Sequence, residues 1–137
     1  MNLFYKVDGD DFLLAGEASG KVKNILKKLG IDSTKIRKIA VAMYEAEMNM
    51  VIHAHGGTIQ VDVLPEKIEV ILEDKGPGIP DIDLAMQEGY STATHEIREL
   101  GFGAGMGLPN MKKYSDELKI TSIVGEGTKV QLTVFLK

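Results

Sequence analysis

At 137 residues, with 44% apolar and 26% charged residues, the chain has the length and composition of a single globular domain, expected to span 1–137, rather than a disordered segment. A net charge of −4 argues against a nucleic-acid partner, and the absence of cysteine removes disulfides and thiolate metal sites. No apolar run approaches the ~18 residues of a membrane helix and no basic-then-apolar leader opens the chain, so no membrane partner is expected and the expected location is the cytoplasm.

In chain order, Leu3–Val7 and Phe12–Leu14 read as short strands around the turn residues Asp8-Gly9-Asp10. Ala18–Leu29 follows as a helix, with Val22, Ile25, Leu26 and Leu29 at helical spacing and Gly30 as its stop. Ser33 or Thr34 is placed to cap a long helix reaching about His53, closed by Gly56-Gly57. Ile59–Leu64 alternates like a half-buried strand, Pro65-Glu66-Lys67 turns it, and Ile68–Leu72 returns. From Asp74 to Gly107 the texture changes, with nine glycines and prolines, one weak helical stretch over 81–88, and a polar run from Ser91 to Glu99. Long irregular segments of this kind in compact domains are functional lids or disordered. Leu108–Tyr114 reads as a helix, and Glu117–Ile123 with Lys129–Leu136 as a closing hairpin. Strands and helices are segregated, which predicts an α+β, two-layer α/β sandwich with the helices on one face of a mixed, mostly antiparallel sheet.

On the long helix, a step of about 100° per residue puts Glu45, Asn49 and His53 on one stripe, with Ala42 and Ile52 beside them. Ile36, Ile39, Met43, Met50 and Ala54 take the roughly opposite face and are expected to pack on the sheet. An amide oxygen beside a carboxylate suits magnesium, which takes hard oxygen ligands, and a carboxylate one turn away can accept a proton from a hydroxyl. The alternative is a solvated polar face. Glu47 lies near the apolar side, where the sequence offers it no partner. His53 receives no chemical role, and Met43, Met48 and Met50 read as core filler.

Two glycine-rich turns follow. Asp74 ends a strand and precedes Gly76 and Gly78, where a flat ligand could approach the backbone and the carboxylate could accept a hydrogen bond from an exocyclic amine. A turn between elements reads the same way locally. Gly101, Gly103, Gly105 and Gly107 alternate just before a helix, a pattern whose amides can form an anion-binding concavity, with a flexible linker as the alternative. Three other phosphate-binding designs do not match. A P-loop needs Gly-Lys-Ser/Thr where this chain has Gly107-Leu108-Pro109, the dinucleotide-binding glycines do not match, and neither do those of the protein-kinase loop.

In this order, Glu45-Ala-Glu-Met-Asn49, Asp74-Lys-Gly-Pro-Gly78-Ile79, Gly103-Ala-Gly-Met-Gly107 and Gly125-Glu-Gly127-Thr128 resemble the Bergerat ATP-binding fold of the GHKL superfamily. The phrases Ala85-Met-Gln-Glu-Gly-Tyr-Ser-Thr92 and Gly105-Met-Gly-Leu-Pro-Asn110 are similar to those of stand-alone serine/threonine kinases that act as anti-sigma factors or stressosome switch kinases. The resemblance implies ATP and Mg²⁺ as cofactors, Glu45 as catalytic base and Asn49 as magnesium ligand. It further implies Asp74 as the adenine contact, Gly76 and Gly78 along the base, and Thr128 in support of the pocket. Gly103, Gly105 and Gly107 would attend the phosphates, with Ile79, Met106 and Leu108 as further cofactor-binding positions and an ATP lid over about 81–107. Ala93–Leu100 lengthens the segment ahead of the glycines and leaves the role of Arg98 open. The implied activity is phosphorylation of a serine or threonine on a STAS-type antagonist, with a sigma factor as a further partner and a homodimer as one assembly. The alternative is a nucleotide-gated binding module or an ATPase without kinase activity.

Overall fold

The computed structural model describes residues 1–9, 15–54, 56–79, 82, 86 and 107–136. Eight elements follow in chain order: β1 (Asn2–Asp8), α1 (Glu17–Lys28), α2 (Ser33–His53), β2 (Gly56–Val63), β3 (Lys67–Asp74), α3 (Gly107–Lys113), β4 (Glu117–Ile123) and β5 (Gly127–Phe135). The strands form one sheet in the order β1-β2-β3-β5-β4. The mostly antiparallel sheet is as expected, and every described pairing is antiparallel. The expected strand over 12–14 and most of the expected lid over 81–107 lie outside the described residues.

The period-two alternation in the strands sets which face is covered. Ile59, Val61, Ile68, Val70, Leu72, Val130, Leu132 and Val134 are buried beneath the helices, whereas Phe4 and Phe135 stay exposed on the opposite face. Burying a side chain of this size contributes roughly 1.5–3 kcal/mol before chain entropy is counted. Val22 and Leu26 of α1 and Leu108 and Met111 of α3 join the same core. α2 therefore has neighbours on three sides: α1, α3 and the sheet.

That crowding changes the expected two-sided helix. Ile36, Ile39, Met43 and Met50 are buried as the spacing predicts, but so are Ala42, Ala46, Glu47, Met48 and Val51. Between residues 42 and 51 only Tyr44, Glu45 and Asn49 reach solvent. The polar face is a narrow opening, not half a helix.

Two local assignments shift. The α2 cap is Asp32, not Ser33 or Thr34: its carboxylate accepts from Thr34 N at 3.2 Å and from the Thr34 hydroxyl. An acid at this position satisfies an orphan amide and suits the positive end of the helix dipole. Gly56 and Gly57 do not close α2, which ends at His53 with Ala54 as its C-cap; they open β2. A Cβ on Gly57 would stand 2.2 Å from the Glu73 carbonyl oxygen, so the pair is fixed by close strand approach.

Candidate functional site

At the end of β3, Asp74 organises its own turn. Its Oδ1 accepts from Gly76 N at 2.9 Å and from Thr128 N at 3.2 Å, so a single oxygen joins the exit of β3 to the entry of β5. Both bonds use Oδ1, and among the described residues no protein donor is bonded to Oδ2. Gly76 packs on the C-terminal cap of α2, where a Cβ would lie 2.6 Å from Ala54 Cα. Gly78 has φ +80°, and a Cβ there would meet the Ile123 carbonyl oxygen at 2.7 Å. The turn is thus clamped between α2 and the β4–β5 hairpin, and glycine is required at both positions.

Ser122, which the sequence did not single out, is the centre of that clamp. Its Oγ accepts from Ile79 N at 2.7 Å, donates to the Gly127 carbonyl at 3.2 Å, and lies 2.9 Å from Thr128 Oγ1. Asp74, Gly76, Ile79 and Thr128 are therefore brought together by one hydrogen-bonded cluster, with Gly78 held beside it by its close approach to the Ile123 carbonyl. Nothing in the sequence marked Ser122; only the pairing of β4 with β5 sets it opposite Thr128.

A cavity of about 690 Å³ opens at this rim of the sheet, lined by Asp74, Thr128, Ala54, Gly56, Gly57 and Gly127 together with Lys6, Thr58, Glu73, Thr121 and Lys129. Strand alternation puts Lys6, Thr58, Glu73, Thr121 and Lys129 on the face away from the helices. The cavity thus reaches around the strand ends. It contains neither Glu45 nor Asn49.

Glu45 and Asn49 stand on the helix side, one turn apart and both partly exposed. Burial pushes the Glu45 carboxyl up from its usual range, opposed by a hydrogen bond from Asn110, whose Nδ2 lies 3.3 Å from Glu45 Oε1. A carboxylate kept partly out of water is better suited to accept a proton than a fully solvated one. The Asn49 amide and the nearby carboxylate are hard oxygen donors of the kind magnesium prefers. Leu108 packs its side chain in the core at 5% exposure. Gly107 begins α3, while Gly103, Gly105, Met106 and Arg98 lie outside the described residues.

Glu47, left without a partner by sequence reasoning, proves to be a structural acceptor. At 2% exposure, its carboxylate accepts from Gly16 N at 2.9 Å, Ala18 N at 3.3 Å, Ser19 N at 2.9 Å and Ser19 Oγ at 2.6 Å. It caps α1 from a different helix, supplying the acceptor that Gly16, in the N-cap position, lacks. An acid on the apolar side of a helix was the available signal, since such a group must find donors.

The family described as "Histidine kinase-like ATPase domain" matches residues 14–134. The chain is 34% identical over 119 residues to "Serine/threonine-protein kinase RsbT" of Bacillus subtilis (strain 168), covering 84% of each. It is 36% identical over 107 residues to an "Anti-sigma F factor" of Caldanaerobacter subterraneus subsp. tengcongensis, covering 74% of this chain and 71% of the other. Among solved structures, a chain of the SiaB-SiaC complex from Pseudomonas aeruginosa aligns with a TM-score of 0.65 at 14% identity, over 96% of this chain and 88% of the other, a likeness of fold. Among the described residues no helix is long and apolar enough to cross a membrane.

Proposed function

The chain belongs to the histidine kinase-like ATPase domain family, and from that premise we propose that it is an ATP-dependent kinase that phosphorylates a serine or threonine on a protein partner. Its relatives named as a serine/threonine-protein kinase and an anti-sigma factor support this reading over simple ATP hydrolysis. The acceptor we propose is a small STAS-type antagonist, with a sigma factor as a second partner. The observation that carries the reading is the pair Glu45 and Asn49. In a stretch of α2 that is otherwise buried apart from Tyr44, they are the two hydrophilic side chains kept at the surface.

Phosphoryl transfer needs positioning and charge neutralisation more than covalent help from the protein. The acceptor hydroxyl oxygen bonds to the γ-phosphorus as the bond to the bridging oxygen breaks, and ADP leaves with that oxygen. Glu45 takes the hydroxyl proton, which its partly buried carboxylate is suited to accept. Asp74 receives the adenine amine on its Oδ2, while its Oδ1 holds the turn. Asn49 is the residue that would hold Mg²⁺, whose contribution when bound is to neutralise charge on the phosphate oxygens.

Incubation with radiolabelled ATP and a panel of STAS-type proteins tests the proposal. Label should appear on serine or threonine of an acceptor. Glu45→Gln should cut transfer by about 10²–10⁴-fold, the range of general-base catalysis, with ATP affinity nearly unchanged. ATP binding without any labelled acceptor would instead indicate a regulatory binding module or an ATPase.

A further inference from the structure

Resting on the reading of Glu45 as base, we propose that Asn110 is a positioning residue: its side-chain amide holds one Glu45 oxygen so that the other faces the acceptor hydroxyl. The geometry assigns the donor without ambiguity. An ionised carboxylate only accepts hydrogen bonds, so the Asn110 group 3.3 Å from Oε1 must be the NH₂. Among the described residues, Asn110 is the one side chain that donates to Glu45. A glutamate on a helix surface otherwise samples several rotamers, few of which aim the carboxylate at one point.

Asn110 is itself well anchored. Its α3 neighbours Leu108 and Met111 are 5% and 0% exposed, so their packing in the core fixes where the amide sits. Its own carbonyl accepts from Tyr114 N at 3.0 Å, holding it in the last turn of α3 and its exit. The base on α2 is thereby oriented by a helix that starts 62 residues later, at Gly107. Orientation of this kind matters because a displacement of about 1 Å at a reacting group can cost ~10²-fold in rate.

The test compares Asn110→Ala and Asn110→Asp in the full chain, reading kcat at saturating ATP and, separately, ATP affinity by calorimetry. Asn110→Ala should lower kcat about 10-fold and leave ATP affinity within roughly twofold. Asn110→Asp matches the original shape but sets a second carboxylate against Glu45, so its loss should be larger still, on the order of 100-fold. A purely structural asparagine would show the reverse order. In a Glu45→Ala background, Asn110→Ala should cost nothing further, because the residue acts through the one already removed. A ¹⁵N spectrum supplies an activity-free measure, since the Asn110 amide resonance should shift when Glu45 becomes Ala. Wild-type kcat in Asn110→Asp, additive losses in the double variant, or an unmoved resonance would each overturn the inference while leaving the kinase reading standing. Absence of transfer by the wild-type protein to every acceptor would overturn both.

Discussion

Replacing Glu47 with Ala should be one of the most damaging single changes to this fold that does not open a large apolar void. The carboxylate serves three backbone amides and one hydroxyl at the start of α1, and it is 2% exposed. Hydrogen bonds to a charged group are worth about 1.5–3 kcal/mol each, and each buried donor left unpaired costs about 1–3 kcal/mol, but contributions within one cluster do not add in full. Water entering the space would recover part of the loss at Gly16, which is not fully buried. A net loss of about 3–5 kcal/mol follows, comparable to breaking other buried polar networks and a large share of the ~5–15 kcal/mol that holds a domain together. Glu47→Gln retains one acceptor oxygen but turns an NH₂ toward backbone N–H groups, and should lose about 2–3 kcal/mol. Ser19→Ala removes one bond of the four and should lose about 1 kcal/mol. Urea unfolding followed by far-UV circular dichroism measures all three, with unchanged m-values confirming that the same transition is being compared. If Glu47→Ala lay within 1 kcal/mol of wild type, or were more stable than Glu47→Gln, the capping role assigned to this residue would be wrong.

Asp74→Asn should separate fold from ligand recognition. The amide oxygen can still accept from Gly76 N and Thr128 N, so stability should change by less than about 1 kcal/mol, whereas ATP affinity should fall about 10–100-fold once the second oxygen becomes a donor. Calorimetric titration with ATP reads the second effect, and unchanged affinity would remove Asp74 from the adenine contact. Acid sensitivity should be traceable in part to Asp116, whose carboxyl is held below its usual range first by Lys38 at 2.8 Å and further by the Phe135 amide at 2.7 Å. A depressed folded-state pKa means that its stabilisation is complete above the ordinary carboxylate range and is lost as pH falls through the lower folded value. Asp116→Asn should therefore be about 1 kcal/mol less stable than wild type at pH 7, with the gap closing below about pH 4. A gap that widened with acid would contradict the assignment.

Local periodicity made much of this fold legible. The alternation of Ile59 and Val61 with polar neighbours, and of Ile68, Val70 and Leu72, predicts both strands and the face that each buries. What escaped was set by neighbours distant in the chain. Ala42 and Met48 are buried because α1 and α3 flank α2, and no window around α2 contains either helix. Glu47 finds its donors 28 to 31 residues away, and Asn110 lies 65 residues from Glu45. At the site, the order of the motifs was legible and drew Asp74, Gly76, Gly78 and Thr128 together. The hub that binds them, Ser122, was not, because a serine on a half-buried strand carries no mark until the opposing turn is in place.

The bond from Thr128 N to Asp74 Oδ1 joins residues 54 positions apart, across the seam between β3 and β5. A molecule seated against both sides of that seam works as a clasp, because the fold cannot come apart there without letting go of it. Occupancy and resistance to denaturation are then one quantity: at a hundred times its dissociation constant, such a molecule adds about 2.7 kcal/mol. The melting temperature becomes a gauge of how full the site is, readable without knowing what the protein does with its cargo.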